Sequence, residues 1–238
     1  MVLPLPPLEF QQLVCGPSGA HLFEEVGRWV TAFLDHERLL EARTMFLDVG
    51  CGCGRIAREL VKKPLASYVG FDRHPGMVAW AQQAISSADP RFQFHFVPVQ
   101  SVYTAWDQHS GTLSAESFMF PCSDASVDTA LLASVFTHMR PNEVSHYLGE
   151  LARVVRPGGG VLLSIFFSDG EDRSHDAINV FHDRSQFLAD LDRLPFLTRE
   201  VLQRFVTGRP FDPRSSGSSN DGGYTHHWFR LTRQRMPE

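Results

Sequence analysis

The sequence predicts an α/β protein built on a doubly wound sheet of seven strands, mostly parallel, with an antiparallel pair at the C-terminal end. Three observations predict it. Short apolar runs alternate with stretches of helical spacing from Met45 to Phe167, the pattern of parallel strands joined by crossover helices. A glycine-rich turn, Gly50-Cys51-Gly52-Cys53-Gly54, separates the first apolar run from the first helical stretch. The last third carries two strand-like runs, Thr198–Val206 and Tyr224–Arg233, with no helix between them, so they pair antiparallel.

The elements follow in order. Met1–Pro7 is broken by proline and has no basic leading region, so it reads as an extended arm, neither a signal peptide nor a spanning helix. Between His21 and Leu40, apolar residues recur at Leu22, Val26, Trp29, Val30, Phe33 and Leu34, a helical stripe suited to covering one face of a sheet. Met45–Val49 is the first buried strand, and Ile56–Val61 restarts with helical spacing. Ser67–Phe71 is the second strand, Gly76–Ser86 a helix and Phe92–Val97 the third strand. Val127–Ala133 supplies the fourth strand, and Pro141–Val155 a helix with proline at its start. The turn Arg156-Pro157-Gly158-Gly159-Gly160 leads into the fifth strand, Val161–Phe167. A helix near Ser185–Leu194 precedes the final pair. The sixteen residues Gly208–Gly223 are too polar to pack and too long for a tight turn, and read as a mobile loop or lid.

With 238 residues, 43% of them apolar, the chain can bury one sizeable core. It reads as a single domain over 1–238: an N-terminal arm and covering helix (1–43), a cofactor-binding core (44–167), and a substrate-side segment with the terminal strand pair (168–238). A formal charge of −5 without a Lys/Arg-rich block gives no electrostatic reason for a nucleic-acid or membrane partner. Four cysteines, two of them inside the glycine loop, make no disulfide framework and point to a reduced, cytoplasmic protein. Cys51-x-Cys53 lacks a second Cys/His pair at zinc-like spacing, so no metal is expected.

Parallel sheets bind ligands beyond the carboxyl ends of their strands, where strand order reverses. The loops after Val49, Phe71, Val97, Ala133 and Phe167 are therefore the candidate site. Glycine in a strand-to-helix turn reaches backbone angles closed to other residues and lets a ligand lie against the main chain, and Gly50, Gly52 and Gly54 would form such a floor with Cys51 between them. A dinucleotide fingerprint requires a third glycine where Arg55 stands. Asp72 closes the second strand 18 residues after Gly54, where a carboxylate can accept hydrogen bonds from ribose hydroxyls or cap the next helix. Arg73 and His74 are secondary candidates.

Asp48, Gly50, Gly52 and Gly54 resemble the first motif of the class I S-adenosylmethionine-dependent methyltransferases, an acidic residue followed by G-x-G-x-G. The segments Phe120–Asp128, Ser134–Met139 and Glu150–Gly159 resemble, in order, that family's lead into its fourth strand, the segment after it and the turn before its fifth. The resemblance covers about Leu47–Phe167 and implies a Rossmann-like fold, S-adenosylmethionine as cofactor, and backbone around Ala133 and Ser134 beside the cofactor's methionine part. The terminal antiparallel pair is also a feature of the family. One departure stands out: relatives often carry an acidic residue near position 98 or 100 that accepts from the adenine amino group, and Val97–Ser101 has none. Gln100 or Ser101 would substitute by a neutral contact, with the Val99 N–H addressing the ring.

Methyl transfer is an in-line displacement that mainly needs alignment, with a base where the nucleophile holds its proton. Histidine suits neutral pH. Of 11 histidines, His138 beyond the fourth strand, and His175 and His182 after the fifth, are the candidate bases. His226 and His227, adjacent in the last strand, would point inward and outward respectively or the reverse. Phe166, Phe167, Phe181, Phe187 and Trp228 suit an apolar pocket or the core equally. The function that the resemblance implies is methyl transfer to a small-molecule acceptor, most often at oxygen, as in a secondary metabolite, sugar or lipid precursor. Two alternatives stay open: a fold relative that binds the cofactor or its demethylated product without transferring methyl, and a nicotinamide-dependent oxidoreductase.

Overall fold

The structure, a computed structural model, describes residues 3–16, 19–101, 111–168, 179–206 and 225–235. One seven-stranded sheet organises them, in the order β3-β2-β1-β4-β5-β7-β6. Its strands are β1 (Met45–Val49), β2 (Ser67–Asp72), β3 (Phe92–Phe96), β4 (Val127–Leu132), β5 (Val155–Ile165), β6 (Phe196–Val206) and β7 (Thr225–Arg233). β1 to β5 pair in parallel, and β7 runs antiparallel to both β5 and β6. Strand order reverses between β1 and β4, which places a crevice at their carboxyl ends.

Helices close both faces: α1 (Leu8–Cys15), α2 (Phe23–His36), α3 (Ala57–Leu60), α4 (Pro75–Ala81), α5 (Pro141–Val154) and α6 (Arg184–Asp192). Successive strand residues point to opposite faces, so the central strands β1, β4 and β5 feed two cores. On one face Leu47, Val49, Leu132 and Leu163 pack with Leu148, Leu151 and Val154 of α5 and with Phe187 and Leu191 of α6. On the other, Phe46, Tyr68, Phe92 and Leu162 pack with Val30 and Leu34 of α2, Leu60 of α3 and Val78 of α4. Double coverage explains why β1, β4 and the later part of β5 read as continuous apolar runs, whereas the edge strand β3, FQFHF, alternates. Among the described residues no helix is long and apolar enough to cross a membrane.

The arm expected over Met1–Pro7 is followed by a helix that the sequence reading misses, Leu8–Cys15, whose Phe10, Leu13 and Val14 pack beside Cys53 and Met77. Two sequence expectations need correction and one gains detail. The stretch Arg156–Gly160 is not a turn before the fifth strand, because β5 already begins at Val155. A register shift between Val127 and Thr129 absorbs the glycines, and Gly158 takes a left-handed φ of +83°. The helix expected over Gly76–Ser86, with Pro75 marking its start and an Asp or His nearby to cap it, is present from Pro75: His74 Nδ1 accepts the Met77 N–H at 3.2 Å, and the added detail is a π turn over Gln82–Ser86. His226 and His227 are both buried, at 6% and 5% exposure, because β7 lies inside the sheet and both of its faces are covered. The expected lid Gly208–Gly223 lies outside the described residues.

Candidate cofactor site

β1 ends in Asp48 and Val49, and the chain then turns through Gly50 and Gly52 at φ of +70° and +54°, a region that side chains with a Cβ rarely adopt. The Gly50 and Cys51 N–H groups both donate to the Phe71 carbonyl at the end of β2, at 2.9 and 3.1 Å. The Gly52 N–H donates to Asp72 Oδ2 at 2.8 Å, and the His74 N–H to Asp72 Oδ1 at 2.8 Å. The loop after β1 is thereby tied to the end of β2, and Asp72 is fixed between them with a second lone pair left on each oxygen.

These elements enclose a cavity of about 230 Å³ at the carboxyl ends of β1, β2 and β4. Its wall includes the predicted residues Asp48, Gly50, Cys51, Gly52, Asp72, Arg73, Val99, Gln100, Ser101, Ala133, Ser134 and His138. Close packing shapes the floor. A Cβ on Gly50 would meet Val135 Cγ2 at 2.7 Å, and one on Gly52 would meet Val14 Cγ2 at 3.2 Å. Ser134, at a left-handed φ of +61°, is held by its N–H donating to the Ser164 hydroxyl at 2.8 Å and by its carbonyl accepting from the Thr137 hydroxyl at 2.9 Å.

Other predicted residues fall elsewhere. Gly54 is not on the cavity wall: its φ is +77°, and a Cβ there would meet Ile85 Cδ1 at 2.5 Å, so its task is close packing of the turn against the helix that follows β2. His182 is 4% exposed, and its Nε2 donates to the Phe136 carbonyl at 2.9 Å. It buttresses the turn that carries His138 rather than facing the cavity. His175 lies outside the described residues. The Val99 N–H donates to the Val97 carbonyl at 2.8 Å and so does not face a ring as expected. Phe166 stacks on Phe181, Phe167 packs on Phe187, and Trp228 packs on Trp29 and Phe33; none of the five aromatic candidates is on the cavity wall.

Sequence reading missed Leu13 and Val14 of α1, Arg55, Met77, Val135, and the α5 residues Glu143 and Tyr147, all on the wall. For α1 a signal was present, since Phe10, Leu13 and Val14 have helical spacing. For α5 the only hint was Glu143 in the first turn after Pro141.

Burial sets the electrostatics. Asp48 is 3% exposed, and desolvation pushes its carboxyl up to about 7, against the Tyr68 hydroxyl that donates to Oδ2 at 2.6 Å. Desolvation also raises Asp72, opposed by its two N–H bonds. It raises the Cys51 thiol well above its ordinary range and Cys53 to about 12, leaving both as apolar packing groups. His226 is pushed down to about 3, first by burial and then by the charges of His138, Arg55 and His227, and its ring packs edge-on to Phe166 at 4.5 Å.

Comparison with known proteins agrees with this geometry. A family model described as a methyltransferase domain matches residues 47–163. Carboxy-S-adenosyl-L-methionine synthase of Pseudomonas putida (strain GB-1) is 25% identical over 150 residues, 61% of this chain and 54% of that protein. O-methyltransferase rstn1 of Aspergillus nomiae is 26% identical over 151 residues, 63% of this chain and 59% of that protein. The chain thus matches between half and two thirds of the length of these curated relatives. Among solved structures, magnesium protoporphyrin IX methyltransferase of Synechocystis PCC 6803, with bound S-adenosylmethionine, superposes with a TM-score of 0.56 at 17% identity, covering 90% of this chain and 81% of that one; this likeness shows the fold.

Proposed function

We propose that this chain, which through residues 47–163 belongs to the class I S-adenosylmethionine-dependent methyltransferases, transfers a methyl group from that cofactor to a small molecule. The acceptor atom we assign is a hydroxyl oxygen of a secondary metabolite, sugar or lipid precursor. The observation that carries this reading is the convergence of Asp48, Gly50, Gly52, Asp72 and Ser134 on one cavity at the point where strand order reverses.

The residues present fit an adenosyl cofactor. Gly50 and Gly52 leave a floor that a Cβ would fill, and Asp72 has lone pairs left for ribose hydroxyls. When bound, S-adenosylmethionine supplies an electrophilic methyl on a sulfonium, with a neutral thioether as leaving group. Everything else falls to the chain. The turn at Ala133–Ser134, pinned by Ser164 and Thr137, positions the methionine part. His138, on the cavity wall, takes the proton of the acceptor hydroxyl. Leu13 and Val14 of α1 cover the glycine loop and exclude water from it. His182, through its bond to the Phe136 carbonyl, holds the His138 turn in place. His175 remains a further candidate base by sequence alone.

On this reading the chain acts as one domain over 1–238, with 1–43 covering the site, 44–167 binding cofactor and 168–238 on the acceptor side. It works on a diffusible acceptor in the cytoplasm, without a nucleic-acid or membrane partner. A second reading is favoured by one relative's name, a carboxy-S-adenosyl-L-methionine synthase: the same site would bind the cofactor and modify or merely hold it.

Incubation with S-adenosylmethionine and a panel of phenols, sugars, hydroxy acids and amines, read by mass spectrometry for S-adenosylhomocysteine and for acceptors heavier by one methylene, separates the two. Methylated product with stoichiometric S-adenosylhomocysteine supports methyl transfer. Tight cofactor binding without S-adenosylhomocysteine release across the panel supports the second reading.

A further inference from the structure

We propose that Glu143 of α5 reads the adenine ring of the cofactor through its exocyclic 6-amino group, in place of the acidic residue that the loop after β3 lacks. The inference rests on the adenosyl-cofactor reading above. It starts from a missing acceptor. Val97-Pro98-Val99-Gln100-Ser101 holds no carboxylate, and its backbone is engaged within the protein: the Val99 N–H with the Val97 carbonyl at 2.8 Å, the Gln100 N–H with the Leu113 carbonyl at 2.8 Å, and the Val99 carbonyl with Arg73 Nε at 3.3 Å. Gln100 is exposed.

Elsewhere on the wall of the same cavity α5 presents Glu143 and Tyr147. Glu143 is 6% exposed. Its Oε2 accepts the Arg140 N–H at 2.6 Å and caps the helix, while Oε1 has no hydrogen bond among the described residues. A carboxylate oxygen on the cavity wall that no protein donor engages is open to an N–H of a ligand seated there. Phe71, Val97, Val99, Met139 and Tyr147 give the cavity apolar walls, suited to the faces of a flat heterocycle. Asp72, the ribose candidate, lies on the same cavity at the end of β2 and within electrostatic range of Tyr147. A carboxylate oxygen accepts from an amine and repels a carbonyl, so it selects a 6-amino purine over a 6-oxo purine.

The test is calorimetric titration of S-adenosylhomocysteine and of S-inosylhomocysteine, which carries oxygen in place of the amino group, into the wild type and Glu143→Gln. Glutamine keeps an oxygen for the Arg140 N–H, so the helix cap survives, and a thermal melt checks the fold. The expected result is a wild type that binds the adenosyl compound at least tenfold more tightly, the order of one charge-assisted hydrogen bond. In E143Q that preference falls by tenfold or more, mostly through loss of adenosyl affinity. An unchanged preference in E143Q overturns the assignment, and equal affinities in the wild type overturn it even where the variant misfolds; should E143Q misfold, Glu143→Asp, which keeps the charge and draws the carboxylate back, is expected to lose the preference in the same way, and an unchanged preference there overturns it. Absence of S-adenosylhomocysteine binding to the wild type overturns the cofactor reading itself, and this inference with it.

Discussion

The Tyr68 hydroxyl on β2 donates a 2.6 Å hydrogen bond to Oδ2 of Asp48 on β1, across the face of the sheet where Tyr68 stacks between Phe46 and Phe92. The bond steadies a carboxyl that burial holds up to about 7, against 3.8 for a free one. The folded state therefore binds a proton there that the unfolded chain has released, throughout the window between these two values. The sign follows: this group's contribution is fully present below pH 3.8 and is lost as pH rises to about 7. Asp48→Asn retains an oxygen for Tyr68 and removes the titration. Urea melts of the two proteins should show the wild type losing about 1.4 kcal/mol relative to D48N per pH unit inside the window. The comparison cancels the opposite contributions of Asp89 and Glu150, both held below their usual values. A pH-independent difference would show that Asp48 is not the protonated group.

Gly52 and Val14 nearly touch, with 3.2 Å between Val14 Cγ2 and the place of a Cβ on Gly52. Gly52→Ala should weaken S-adenosylhomocysteine binding by tenfold or more, through left-handed strain of about 1–2 kcal/mol and a filled floor. Val14→Ala in the same chain should restore stability more than affinity, because it relieves the contact with α1 and not the methyl group in the cavity. Full recovery of affinity in the double variant would mean that α1, not ligand clearance, sets the need for glycine.

Gly54 should behave differently although it belongs to the same run of glycines. Gly54→Ala drives a methyl into Ile85 Cδ1, 2.5 Å away, and should lower stability by about 2–4 kcal/mol from overpacking and backbone strain. Ile85→Ala should recover part of the overpacking loss. The fraction still folded should bind S-adenosylhomocysteine as the wild type does; a large loss of affinity in folded G54A would place Gly54 in the cofactor floor after all.

His138 and His182 divide along the same line. His138→Asn should reduce turnover by about 10²–10⁴-fold and leave cofactor affinity within a factor of three. His182→Ala should cost about 1–3 kcal/mol of stability, because the Phe136 carbonyl loses its buried donor. Steady-state kinetics on folded protein, with thermal melts alongside, distinguish the two. An H182A variant that is stable and inactive would reverse the assignment.

The parts legible in the sequence were those that local chemistry dictates. β1 was readable to the residue because Met45–Val49 is bounded by the glycine loop, and Asp48, Gly50, Gly52 and Asp72 were readable because their spacing has a backbone meaning. The long-range contacts were not. Glu143 and Tyr147 reach the cavity only because α5 folds back over β4, and Val14 only because α1 lies across a loop some forty positions away. Helical spacing around Val14 and the first-turn Glu143 mark the helices, but not where those helices come to lie. Gly54 shows the converse: the sequence reads it as part of the cofactor floor, whereas the structure packs it against Ile85, about thirty positions further on, and off the cavity wall. The pair His226–His227 was misread because alternation tells which residues share a face, and not whether the opposite face is covered.

The most direct measurement is a calorimetric titration of the purified chain with S-adenosylhomocysteine, S-adenosylmethionine and NADH, repeated on Gly52→Val. Saturable binding of the two sulfur compounds at about micromolar Kd, on the order of −8 kcal/mol, with none for NADH and with loss of binding in folded G52V, is the predicted result. Binding of NADH alone, or unaltered affinity for S-adenosylhomocysteine in folded G52V, would contradict the placement of the cofactor on the glycine loop.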